Sequence, residues 1–103
     1  MSSSLVLSIL AALAYVAGGA CMKATTADAP GWIAAVWVAF LVGASLQTAA
    51  MRGQDLGSSY IVVLGLEAVA AFAVGVWAYG EAVTATRVAG VLLVTAGIAL
   101  LRA

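Results

Sequence analysis

Glu67 is the residue of this sequence with the clearest chemical implication. It lies near the middle of an apolar run over 56–79 and is the one acidic residue inside any of four hydrophobic runs. A carboxylate at the bilayer centre is costly, so such groups usually face a bundle interior or a water-filled cavity. There they commonly mark a proton relay, an ion path or a site for a cationic substrate. Glu67 therefore predicts a protein that moves something across a membrane.

Few other side chains in this sequence could take part in a chemical reaction. The sequence has no His and a single Cys. Without His, proton transfer near neutral pH is left to a carboxylate, Tyr or Lys. One Cys excludes an internal disulfide and a Cys-based metal site. The glycines are scattered and do not form a phosphate-binding turn after a strand. We expect no metal, no cofactor and no enzyme activity.

The composition indicates a membrane protein. Of 103 residues, 66% are hydrophobic and 8% are charged, and the mean hydropathy is +1.21. A soluble domain would carry about a quarter of its residues as charged ones. Lys and Arg balance Asp and Glu at four each, so there is no basic face for nucleic acid. Membrane lipids are the expected surroundings.

Four transmembrane helices account for most of the chain. The apolar runs cover about 5–22, 31–50, 56–79 and 88–101, and the fourth looks short unless it begins a turn earlier, near Thr84. The connections are short, so sequential helices should be antiparallel neighbours. The sequence predicts an all-α membrane protein with one four-helix domain over 1–103.

The positive charges are distributed evenly between the two ends of the helices. Arg52 and Arg102 fall on the side of the termini, and Lys23 and Arg87 fall on the other side. Because an excess of Lys and Arg sets orientation, this balance predicts dual topology, with both orientations in one membrane. The alternative is that Lys23 and Arg87 are partly buried or neutralised, and one orientation prevails.

Small residues on the predicted helices indicate close packing. Small side chains let helix backbones approach closely in lipid, and we assign this role to Gly18, Gly65, Gly90 and Gly97. Four such helices cannot easily enclose a substrate. We therefore expect a homodimer, with an antiparallel arrangement as one possibility.

Several segments, in order, resemble the small multidrug resistance family within the drug/metabolite transporters. Segment 13–23 reads Leu-Ala-Tyr-Val-Ala-Gly-Gly-Ala-Cys-Met-Lys and is similar to the family segment Leu-Ala-Glu-Val-x-Gly-x-x-x-Met-Lys. Segment 57–60 reads Gly-Ser-Ser-Tyr, with Gly65 five residues later, and resembles a family Gly-x-Ala-Tyr segment followed by a glycine pair. Segments 77–81 and 87–97 resemble the family's third loop and fourth helix.

The resemblance implies a four-helix secondary transporter that works as a dimer. It places Gly90 and Gly97, seven residues apart, at the dimer seam. Family members carry an essential Glu in the first helix, where proton and substrate compete for the carboxylate. This sequence has Tyr15 at that position, so the family's exchange mechanism does not carry over unchanged.

The third span offers a replacement carboxylate. Tyr60, Val63 and Glu67 recur at spacings of three and four, which places them on one helix face. The resemblance implies that Tyr60 lines the substrate chamber and that Glu67 replaces the second glycine of the family pair. For Tyr15 two interpretations stay open: a hydrogen bond to Glu67 across the bundle, or an aromatic ring that fills space.

The leading hypothesis is a small efflux transporter in a bacterial cytoplasmic (inner) membrane. It would exchange protons for a small organic cation or amine at Glu67. Three alternatives stay open: a flippase subunit for lipid headgroups or polyprenyl-phosphate sugars, a heterodimer subunit whose partner carries the first-helix Glu, and a non-transporting subunit of a larger complex.

Overall fold

The chain folds into four α-helices, seen here in a computed structural model that describes residues 3–102. They are α1 (Ser3–Ala24), α2 (Trp32–Ala50), α3 (Leu56–Tyr79) and α4 (Ala85–Arg102), and no strand occurs within this range. At 1.5 Å per residue the helices measure about 27–36 Å, close to the thickness of a bilayer's hydrocarbon core. All four are long and apolar enough to cross a membrane.

The helix boundaries follow local signals in the sequence. The predicted bounds of α3 are confirmed at both ends, and α1 extends two residues beyond its prediction at each end. α4 begins at Ala85 because Thr84 caps it: the Thr84 carbonyl accepts from the Val88 amide at 3.0 Å, and its hydroxyl accepts from the Arg87 amide at 3.2 Å. Capping by Thr satisfies amides that the first turn leaves unpaired. The fourth span is therefore longer than the apolar run alone indicates.

The helices form a flat array in which α1 lies between α2 and α3, and α4 packs on the far side of α3. The array measures 46 × 35 × 20 Å. Its small core consists of short side chains, mainly on α1 and α3, with Ala11, Ala12 and Val63 nearly inaccessible to solvent. α4 has no buried residue, so this helix presents most of its apolar surface to lipid or to another chain.

Two glycines lie where a side chain of a neighbouring helix packs closely. A Cβ atom at Gly18 would lie 2.9 Å from the Phe40 ring of α2, and one at Gly65 would lie 2.7 Å from Ile98 of α4. Small residues at such positions let helices approach closely.

Candidate functional site

A cleft between α1 and α3 contains the mid-membrane carboxylate. Its volume is about 290 Å³. The walls are mostly apolar, and the polar side chains that line it are Tyr15, Glu67, Lys23, Tyr79 and Glu81. An apolar cleft with a few polar groups is the usual form of a small-molecule site.

Glu67 lies half-buried on the α3 wall of this cleft, near the middle of the helix. Among residues 3–102 its carboxylate has no hydrogen-bond or ion-pair partner. Ala71 and Val74 follow it along the same wall towards the end of α3. A charged group at this depth without a partner is unfavourable, so the site is suited to bind a proton or a cation from outside the chain.

The other residues singled out on the same face of α3 differ in their surroundings. Val63 is 1% exposed and belongs to the helix-packing core, and it does not line the cleft. Tyr60 is 49% exposed and, like Val63, does not line the cleft. Of the four residues that the sequence pointed to, the cleft therefore brings together Tyr15 and Glu67.

Tyr15 is anchored on α2 rather than on α3. Its hydroxyl donates a hydrogen bond to Oε1 of Gln47 at 2.6 Å. Its ring lies 5.8 Å from the Phe40 ring, tilted by 49°. The ring packs over Gly43, where an added Cβ would approach it to 2.7 Å. The interpretation in which Tyr15 donates to Glu67 is therefore wrong, although Tyr15 still lines the same cleft.

Gln47 and Gly43 are site residues that the sequence did not bring out. On the same helix the Ser45 and Thr48 hydroxyls donate to the Leu41 and Ala44 carbonyls, whereas the Gln47 side chain accepts from another helix. A signal was available, since Val36, Phe40, Gly43 and Gln47 recur at spacings of four and three and so share a face. A buried polar residue on such a face must find a partner on another helix.

A comparison with protein-family models identifies the family of this chain. The model of the Small Multidrug Resistance protein family matches residues 3–94, nearly the whole chain. The chain belongs to this family. A comparison with curated proteins found no match. Members of the family act as small-molecule transporters, typically as dimers, and the four apolar helices agree with an integral membrane protein.

Gly90 and Gly97 of α4, which the sequence analysis predicts at a dimer seam, have open surroundings. An added Cβ at Gly90 or at Gly97 would meet nothing within 4 Å. Both differ in this respect from Gly18 and Gly65, which contact neighbouring helices. Each borders the shallow groove between α3 and α4. This face of the small multidrug resistance fold therefore has room for another helix to approach.

One end of the cleft carries an ion pair that the sequence did not predict. Lys23, at the end of α1, lies with its Nζ 3.3 Å from Oε2 of Glu81 and 4.5 Å from the centre of the Tyr79 ring. The pair joins residues 58 positions apart, so only the packing of α1 on α3 brings them together.

Proposed function

We propose that this member of the small multidrug resistance family exchanges protons for a small organic cation at Glu67. The observation that carries the proposal is the position of this carboxylate, half-buried on the cleft wall and without a partner among residues 3–102. At this depth the group is stabilised either by a proton or by a bound cation. Because the two compete for the same oxygens, binding of one releases the other.

The aromatic ring of Tyr15 fits a cationic substrate at Glu67. Tyr15 and Glu67 line the same cleft, and aromatic faces attract cations most strongly where water is excluded. The Tyr15 hydroxyl donates its proton to Gln47, so it has no proton left to donate to a ligand or to Glu67.

A second copy of the chain would complete the site. The cleft of one chain is small and open on one side, and α4 lies outermost with no buried residue. A homodimer whose interface runs along Gly90 and Gly97 would bring two Glu67 carboxylates into one chamber. We place this dimer, parallel or antiparallel, in a bacterial cytoplasmic membrane with efflux as the direction of transport.

The test is proton release from purified protein in weakly buffered detergent solution. Amines, guanidinium compounds and quaternary ammonium ions are added in turn to the unmodified protein, to Glu67→Gln and to Asp55→Asn. Asp55 is an exposed residue at the N-terminal end of α3, and its carboxylate serves as the matched control. We expect release with at least one cation, loss of release in Glu67→Gln and no change in Asp55→Asn.

A second part of the experiment uses Tyr15, the α1 position at which the family resemblance implies a Glu. Tyr15→Glu, introduced into Glu67→Gln, returns a carboxylate to the other wall of the same cleft and should restore proton release in part. No release and no binding with any cation would overturn the exchange proposal. That result would favour a flippase subunit, a heterodimer subunit or a non-transporting subunit instead.

A further inference from the structure

Lys23, Tyr79 and Glu81 lie together at one end of the cleft, which we call the cleft mouth. This end has the form of a cation site, and the chain's own Lys23 occupies it. The Lys23 ammonium lies between the Glu81 carboxylate, at 3.3 Å, and the face of the Tyr79 ring, at 4.5 Å from its centre. A carboxylate beside an aromatic face is the combination that recognises organic ammonium and guanidinium groups. Lys23 therefore shows where another cation would bind.

Two glycines build this arrangement. Gly80 ends α3 with φ of 64°, a left-handed conformation that Gly adopts without strain. This turns the chain back, so that the Glu81 amide donates to the Gly75 carbonyl at 3.1 Å. The Glu81 carboxylate then occupies the space that a side chain at Gly75 would fill. Glu81 is thus held against α3 at the cleft instead of extending into the loop.

The present occupant is easily displaced. The Lys23 and Glu81 side chains are 54% and 46% exposed. An ion pair this exposed is screened by water and salt and contributes little to stability. The long, flexible Lys side chain can also turn away towards lipid headgroups without leaving its charge buried. A competing cation at the mouth would replace Lys23 at small cost.

The cleft mouth and Glu67 belong to the same cleft. Lys23, Tyr79 and Glu81 line the same cleft as Glu67. Gly75, which the Glu81 carboxylate contacts, is eight residues from Glu67, or about 12 Å along the helix. The wall between the two carboxylates is formed by Ala71 and Val74. A cation bound at the mouth would therefore be two helical turns from the mid-membrane carboxylate, with an apolar wall between.

We propose an outer cation site, formed by Glu81 and Tyr79, in which Lys23 is the displaceable occupant. Its ligand is a small organic cation of the methylated ammonium or guanidinium class, with enough apolar surface to lie on the Tyr79 ring. The ligand binds there before it reaches Glu67. Only this onward step rests on the proposed function, because the outer site itself does not use Glu67.

The experiment measures tetramethylammonium binding to purified protein by isothermal titration calorimetry. Glu67→Gln serves as the background, since it removes the inner carboxylate. We expect weak, salt-sensitive binding in this background. Adding Lys23→Gln removes the competitor and should tighten binding about 3- to 30-fold, the combined range for an exposed ion pair and an exposed cation–π contact. Adding Glu81→Gln should abolish binding, and adding Tyr79→Leu should weaken it.

Matched charge changes at the opposite end of the helices provide the controls. Arg52→Gln and Asp55→Asn, each in the Glu67→Gln background, should leave binding unchanged. If Glu81→Gln fails to fold, as judged by circular dichroism, Gly75→Ala replaces it, because a Cβ there would displace the Glu81 carboxylate. Binding that persists without the Glu81 carboxylate, or that does not tighten in Lys23→Gln, overturns the outer site.

The two proposals fail in different ways. If proton release does not depend on Glu67 while Lys23→Gln still tightens tetramethylammonium binding, the exchange function is wrong and the outer site stands. If release depends on Glu67 but the Glu67→Gln protein binds no tetramethylammonium even with Lys23→Gln, only the outer site is wrong.

Discussion

The Tyr15 hydroxyl donates a 2.6 Å hydrogen bond to Oε1 of Gln47 and so joins α1 to α2 within the membrane-spanning region. Gln47 is only 8% exposed, and its carbonyl oxygen depends on this partner. Tyr15 is therefore engaged in a bond between two helices. The only acidic side chain left on the cleft wall at this depth, among residues 3–102, is that of Glu67.

Removal of this hydrogen bond should destabilise the helix pair. Tyr15→Phe deletes the donor and leaves the Gln47 oxygen buried without a partner, which is the costly case. Inter-helix hydrogen bonds within membranes average about 0.6 kcal/mol and reach about 1.7 kcal/mol. We expect a loss of this size in the free energy of unfolding, measured by circular dichroism in mixed detergent micelles.

A double-mutant cycle separates the bond from the loss of packing. Tyr15→Phe combined with Gln47→Met should cost less than the two single changes added together, because both partners of the bond are then absent. Tyr60→Phe is the control, since Tyr60 is half-exposed and its hydroxyl makes no hydrogen bond to residues 3–102. A coupling energy near zero would show that the bond is not a stabilising one.

Gly43 should be intolerant of even one added methyl group. In Gly43→Ala the new Cβ would lie 2.7 Å from the Tyr15 ring, so the ring must move and the bond to Gln47 must lengthen. Overpacking of this kind costs about 1–3 kcal/mol. Gly57→Ala is the matched control because its Cβ would meet nothing within 4 Å. Equal unfolding midpoints for the two variants would contradict this account of Gly43.

The sequence was most informative where a single helix carries the signal. The apolar run of α3 and the depth of Glu67 follow from local composition, and both bounds of α3 are confirmed. Contacts between helices were harder to predict. For Tyr15 the sequence left open a hydrogen bond to Glu67 or a ring that fills space, and the packing of the ring over Gly43 directs the hydroxyl to Gln47.

The ion pair at the cleft mouth illustrates a second limit. Lys23 and Glu81 lie near helix ends in the sequence, where charged side chains are usually solvated. Their contact depends on the left-handed turn at Gly80 and on the vacant volume at Gly75. Each glycine is visible in the sequence, but neither indicates that a side chain from beyond the helix end folds back against α3.

Substitution at Gly97 should weaken association between chains without unfolding one chain. Gly97→Val adds a side chain where nothing lies within 4 Å in the single chain, so the fold should tolerate it. A helix packed across Gly90 and Gly97 would be pushed away. We expect a several-fold lower dimer yield in chemical cross-linking, with unchanged helical content by circular dichroism.

The matched control for the seam is Ala99→Val, an exposed position on another face of α4. It adds a similar volume and should leave the dimer yield unchanged. If Ala99→Val disrupts cross-linking as strongly as Gly97→Val, or if neither change has an effect, the seam does not run along these glycines.

Membrane orientation should respond to single added charges. The Lys and Arg residues are balanced two against two between the ends of the array, and pairing with Glu81 does not bury Lys23, which stays 54% exposed. Acidic partners contribute little to orientation. Asp28→Lys adds positive charge at the end that carries Lys23, and Gln54→Lys adds it at the end that carries Arg52. The two variants should therefore insert in opposite orientations.

Reporter fusions at the C-terminus, one active only inside and one only outside the cell, measure the ratio of the two orientations. The unmodified chain should give both signals, and each variant should give mainly one. If the unmodified chain gives a single signal that neither variant changes, dual topology is wrong, and an antiparallel dimer of identical chains is wrong with it.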